Sequence, residues 1–170
     1  SILTTVRNEN NIQLALAPYY YFTSSIYEGE CSSNRVALMT AKNSDTPLYL
    51  AKINGKQVYE LVGNYLADFD ADFDVTNKYE LPIASGMKII VKDKGNGFSL
   101  KGITVNEKKI DKEKEYSILL TGTTMSILKK LYPECKITQL KDTTLSSAWV
   151  AAMSKGQQPS APEDYIEVEE

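Results

Sequence analysis

The stretch from Glu80 to Gly122, ELPIASGMKIIVKDKGNGFSLKGITVNEKKIDKEKEYSILLTG, restricts what this chain can fold into more than any other. Three apolar runs, Met87 to Val91, Leu100 to Val105 and Tyr116 to Leu120, are separated by Lys94-Gly95-Asn96-Gly97 and by Asn106-Glu107-Lys108-Lys109. β-branched residues pack well on a pleated surface, and Asn and Gly adopt the turn conformations that reverse it, so the pattern predicts a three-stranded antiparallel meander. Ser85-Gly86 stands at the entrance of the first strand, where a glycine lets the backbone turn or approach another group closely, with a hydroxyl beside it.

These residues also resemble the C-terminal, substrate-binding domain of the 5′-nucleotidase and UDP-sugar hydrolase family. Ala84-Ser85-Gly86 matches the family's Ser-Gly strand opening, Ile103-Thr104-Val105-Asn106 with Ile110 its "I-T-V-N-x-K-x-I" strand, and Asp111 with Tyr116 the lead into the next strand. Leu48 to Val62, a strand, a glycine turn and a helix, resembles the family in the same way. The resemblance implies one α+β domain over residues 1–170, with a mixed or antiparallel sheet and flanking helices, and with 157–170 as an extended tail. It further implies a parent enzyme that hydrolyses phosphate esters with divalent metals held in an N-terminal metallophosphatase domain. The parent is then an exported bacterial protein, placed in the extracellular space, the periplasm or on the cell surface.

The family's substrate segments map imperfectly. Counting back from Ile26-Tyr27-Glu28-Gly29 puts Pro18 where the family has an asparagine, tyrosines over its two glycines, and Thr23 where an arginine holds the substrate. A threonine cannot replace the bidentate anion grip of a guanidinium. Asn43 is the counterpart of a second loop, and the aromatic Gly-Gly-Asp-Gly loop that stacks on the base in the family has no counterpart after Thr121. The substrate-binding set implied by the resemblance is therefore Tyr20, Tyr21, Thr23, Asn43, Ser85, Gly86 and Thr121, brought together at one edge of the sheet. Aromatic faces and hydroxyls suit a nucleoside or a sugar, because Arg35 is the only arginine beyond a start expected to fray.

Composition limits the chemistry. The sequence has no histidine, so a two-metal phosphoesterase centre or a common catalytic triad lacks its imidazole, and neither catalytic residues nor metal ligands nor a cofactor are assigned to the fragment. A net charge of −3 offers no basic field for nucleic acid. No apolar run approaches the roughly 18 to 20 residues that cross a bilayer. The opening Ser-Ile-Leu-Thr-Thr-Val-Arg reads as the middle of a helix, hence as part of a longer protein.

The remaining pattern is that of a packed scaffold. Ile12 to Ala17 predicts a buried strand, Leu48 to Ile53 another, and Asn54-Gly55 a turn. Val58, Leu61, Val62, Tyr65, Leu66 and Phe69 recur at helical spacing and predict one apolar face. Further helices are predicted from Ser32 or Ser33 to Met39, over Thr123 to Leu131 and over Thr144 to Lys155, the last burying Leu145, Trp149 and Met153, with a strand at Lys136 to Leu140. The alternating carboxylates of Asp68 to Asp74 invite a calcium loop, but Phe73 and Tyr79 stand where its glycine and glutamate belong, which leaves a solvated acidic turn. Cys31 and Cys135 form either a bridge or two unpaired thiols. The alternative to substrate recognition is a non-enzymatic interaction or structural module of an exported surface protein.

Overall fold

A computed structural model describes residues 2–19, 47–67, 81–155 and 165–169. In chain order these form α1 (Ile2–Glu9), β1 (Leu14–Ala17), β2 (Pro47–Asn54), α2 (Gly55–Ala67), β3 (Ile83–Ser85), β4 (Lys88–Asp93) and β5 (Phe98–Val105). Then follow β6 (Lys108–Lys109), β7 (Glu115–Leu120), α3 (Gly122–Leu131), β8 (Ile137–Thr144), α4 (Leu145–Ser154) and β9 (Ile166–Glu169). Phe69, the Asp68 to Asp74 run, Cys31 and the helix expected after Ser32 or Ser33 lie outside the described residues.

Among the described residues there are two sheets, one ordered β3-β1-β7-β2-β8 and one ordered β6-β5-β4-β9. Pairing is antiparallel except for β1 with β7 and β4 with β9, which are parallel. The mixed sheet flanked by helices is the architecture expected from the sequence.

The three-stranded meander is not. β4 and β5 do form a hairpin, but Glu115–Leu120 crosses to the centre of the other sheet, between β1 and β2. The burial of β7 explains the move. Tyr116, Ile118 and Leu120 pack toward one core and Leu119 toward the other, and a strand apolar on both faces is stable only where both are covered. β1 obeys the same rule: Leu14 and Leu16 face the first core, Ala15 and Ala17 the second, and all four are buried.

The first core fills the space between the two sheets and includes Val58, Leu61, Val62, Tyr65 and Leu66 of α2, Ile127 and Leu128 of α3, and Ile89, Val91, Phe98 and Ile103 of the β4–β5 hairpin. The second lies on the opposite face of the larger sheet, under α1 and α4, and contains Ile2, Leu3, Val6, Leu145 and Trp149. α4 buries Ala152 as well, while Met153 is only half-buried.

Local signals set the helix starts. Asn54 and Gly55 do not make a free turn: Asn54 Oδ1 accepts from the Gln57 N–H at 2.9 Å and Gln57 Oε1 accepts from the Asn54 N–H at 2.9 Å, a reciprocal cap that starts α2 directly. Thr144 and Ser147 cap α4 in the same reciprocal way, at 3.0 and 2.8 Å. Cys135 is half-buried, carries no disulfide among the described residues, and has its thiol pKa pushed up, chiefly by burial. The end of the extended tail returns as β9 on the β4 edge.

Candidate functional site

The parallel pair β1 and β7 ends on one edge of the larger sheet, with Leu16 opposite Leu120. Antiparallel β2 begins there too, since Tyr49 pairs with Leu120. Thus Tyr19, Thr121 and Pro47 bring three chain segments to one edge. Tyr20, Tyr21, Thr23 and Asn43 lie outside the described residues, but the described chain leaves at Tyr19 and resumes at Pro47 on this edge.

Thr121 does not offer its hydroxyl outward. It is 1% exposed and precedes α3; its N–H donates to Thr124 Oγ1 at 3.0 Å, and the two hydroxyl oxygens lie 3.3 Å apart. Thr124 Oγ1 also donates to the Leu16 carbonyl at 3.2 Å, tying the start of α3 to the end of β1. The threonine pair holds the edge in shape from beneath.

Ser85 and Gly86 are elsewhere. Ser85 pairs with Ala15 in an antiparallel ladder, so Gly86 leaves the sheet at the opposite end of β1, beside Gln13. Ser85 and Gly86 thus stand apart from Thr121, because β3 runs against β1.

At this second edge the Ser85 hydroxyl is fully buried and committed, accepting from Arg7 Nε at 2.8 Å and donating to Thr4 Oγ1 at 3.1 Å. Arg7 Nη1 donates to the carbonyls of Gln13 at 2.9 Å and Ile12 at 3.3 Å. The start of the chain is therefore anchored rather than frayed. Arg7 was missed in the sequence because its partners are distant or backbone groups, and only the buried face of α1 hints that the helix is docked. Removing the hydroxyl strips a charged donor of its acceptor, so Ser85→Ala is expected to lower stability by about 1 to 3 kcal/mol in urea unfolding. No change would show that Arg7 finds an equivalent partner in water.

Beside this anchor lies an open cleft of about 740 Å³, lined in part by Arg7, Gln13, Gly86, Lys88, Asn106 and Glu167. Its charges largely answer one another: Lys88 Nζ is 3.2 Å from Glu167, and Lys114 Nζ lies 5.4 Å from the centre of the Tyr116 ring. Among the described residues no three His, Cys, Asp or Glu side chains come together as a metal site. No described helix is long and apolar enough to cross a membrane.

No family model matches the sequence, and no curated protein does. Solved structures do match. The NAD nucleotidase of Haemophilus influenzae superposes with a TM-score of 0.74 at 14% identity, over 99% of this chain and 32% of its own. A 5′-nucleotidase precursor from Thermus thermophilus gives a TM-score of 0.73 at 14% identity, over 98% of this chain and 34% of its own. A putative 5′-nucleotidase from Staphylococcus aureus gives 0.72 at 11% identity, over 99% and 36%. The chain spans about a third of the length of each of these proteins, and the fold they share with it is that of the 5′-nucleotidase C-terminal domain.

Proposed function

From the fold of the 5′-nucleotidase C-terminal domain, we propose that this chain is the substrate-recognition domain of a metal-dependent phosphoesterase acting on nucleotides, and is not catalytic by itself. The observation that carries the reading is a structural match over nearly the whole chain to one third of three nucleotidases. The remaining two thirds of such an enzyme would supply the metals and the attacking water from an N-terminal metallophosphatase domain of the same protein. That Thermus thermophilus relative is a precursor, which supports an exported parent.

The site belongs at the edge where β1 and β7 end and β2 begins. Backbone geometry supports this choice, since in sheets with parallel strands ligands bind beyond the carboxyl ends of those strands. Tyr19 and Thr121 mark the edge, and Tyr20, Tyr21, Thr23 and Asn43 belong to the segment that leaves and rejoins it. Ser85 is removed from the ligand contacts by its bonds to Arg7 and Thr4. Without an arginine at Thr23, the site recognises a nucleoside or sugar through stacking and hydroxyls, not through phosphate.

A second reading, a module of an exported surface protein that has lost ligand recognition, is favoured by the inward commitment of both Ser85 and Thr121. One experiment separates the two. Adenosine titrated into the labelled chain is expected to bind weakly, at about millimolar concentration or above, with amide shifts at Tyr19, Leu48 and Thr121 and no gain from added phosphate. The same sample with manganese or zinc is expected to release no phosphate from AMP. Absence of any shift leaves the surface-module reading. Submicromolar AMP binding, shifts confined to Asp68 to Asp74, or metal-dependent hydrolysis abolished by mutating one of the chain's own residues would overturn the proposal.

A further inference from the structure

β9 joins the molecule at the open side of β4, in parallel register, with Ile89 opposite Ile166, Ile90 opposite Glu167, Val91 opposite Val168 and Lys92 opposite Glu169. The Ile89 N–H donates to the Tyr165 carbonyl at 2.8 Å. The strand is lightly held. Ile166 is half-buried against the first core, Glu167 and Glu169 are exposed, and Val168 is 40% exposed. Without it, β4 would present a row of unpaired backbone donors and acceptors above the buried side chains of Ile89 and Val91, which is a template for another strand.

Charge selects what that template accepts. Residues 88–92 of β4 read Lys-Ile-Ile-Val-Lys, and residues 165–169 seated on them read Tyr-Ile-Glu-Val-Glu. Lys88 Nζ lies 3.2 Å from Glu167, and Lys92 stands in register with Glu169. The apolar residues of the strand pair with Ile89 and Val91 on the core side, and its acidic residues lie beside the lysines. An alternating apolar and acidic strand is thus favoured, and a basic one is opposed by like charge.

We propose that the β4 edge is a docking site for an extended apolar and acidic strand, and that residues 165–169 of a second copy of this chain occupy it by reciprocal exchange. The exchanged strand makes the same register and the same Lys88–Glu167 ion pair as the chain's own, so exchange forfeits no contact. The connection between Lys155 and Tyr165 is the nine-residue sequence Gly-Gln-Gln-Pro-Ser-Ala-Pro-Glu-Asp, and nine residues reach at most about 30 Å. Such a tether gives the chain's own strand an effective concentration on the order of millimolar, the level at which a second copy competes. This inference is independent of the nucleotidase reading, because it involves the edge of the smaller sheet and no ligand.

The test uses two full-length variants. Lys88→Glu with Lys92→Glu makes an acidic acceptor facing its own acidic strand, and Glu167→Lys with Glu169→Lys makes a basic strand facing its own basic acceptor. Each alone sets like charges together, whereas reciprocal exchange between the two restores opposite charges at both junctions. Mixed at about millimolar total concentration, they are expected to form a one-to-one dimer by light scattering and native mass spectrometry, several-fold more abundant than in either variant alone. The dimer should dissociate in about 1 M salt, where screening is short-ranged. It should also be lost when residues 166–170 are deleted from both, because the strand that is exchanged is then gone. A mixture that stays monomeric overturns the proposal, as does a dimer that survives deletion of residues 166–170.

Discussion

Replacing Leu61 by alanine is expected to cost about 2 to 5 kcal/mol, the range for truncating a buried leucine whose surroundings cannot close the cavity. Leu61 is fully buried on the inner face of α2, in the core enclosed by the two sheets. Urea unfolding followed by tryptophan fluorescence measures the change well. The sequence has one tryptophan, Trp149, and it is buried in the other core, so its signal reports loss of the whole domain rather than movement around α2. Lys56→Ala on the exposed face of the same helix is expected to stay within about 0.5 kcal/mol. A loss below about 0.5 kcal/mol for Leu61→Ala, on the scale of surface substitutions, would mean that α2 is wrongly faced.

The facing of α2 was legible in the sequence because a helix must present residues three and four apart to the same side, and Val58, Leu61, Val62, Tyr65 and Leu66 are all buried as the spacing requires. The β4–β5 hairpin was legible because β-branched residues pack well on a pleated surface and Gly and Asn punctuate the two runs. What the pattern could not supply was the pairing. Tyr116 to Leu120 follows β5 and β6 closely enough to suggest the third strand of a meander. Its continuous apolar character called instead for a central position covered on both faces, where β1 and β2 flank it. Periodicity identifies a strand; only the full set of partners decides which sheet holds it.

The site was legible to a smaller extent. Tyr19 and Thr121 do meet at one edge, because β1 and β7 are parallel and therefore end together. Ser85 and Gly86 were assigned to that edge because a hydroxyl beside a glycine is chemically suited to a ligand. Their actual place depends on β3 running against β1, which no local signal in Ile83-Ala84-Ser85 reveals. The partner of the Ser85 hydroxyl is 78 residues away in sequence, on a helix whose arginine looked like part of a loose end.

The roles of Gly86 as ligand contact and as structural junction have opposite consequences, and Gly86→Ala distinguishes them. Gly86 has φ of 76°, a conformation that costs an L residue about 1 to 2 kcal/mol. A methyl there would also stand 2.1 Å from the Gln13 carbonyl oxygen and 3.0 Å from Arg7 Nη1. The carbonyl is backbone beside β1 and cannot move without disturbing the strand, which adds about 1 to 3 kcal/mol for overpacking. The expected loss is therefore about 2 to 5 kcal/mol. Gly95→Ala supplies the control, since its φ is 80° but nothing lies within 4 Å of the added methyl, so only the conformational part, about 1 to 2 kcal/mol, should appear. A Gly86→Ala loss no larger than that of Gly95→Ala would show that the close approach to Gln13 relaxes freely. A junction destabilises the domain while leaving adenosine shifts at Tyr19 and Thr121 unchanged in the folded fraction. A ligand contact would weaken those shifts as well.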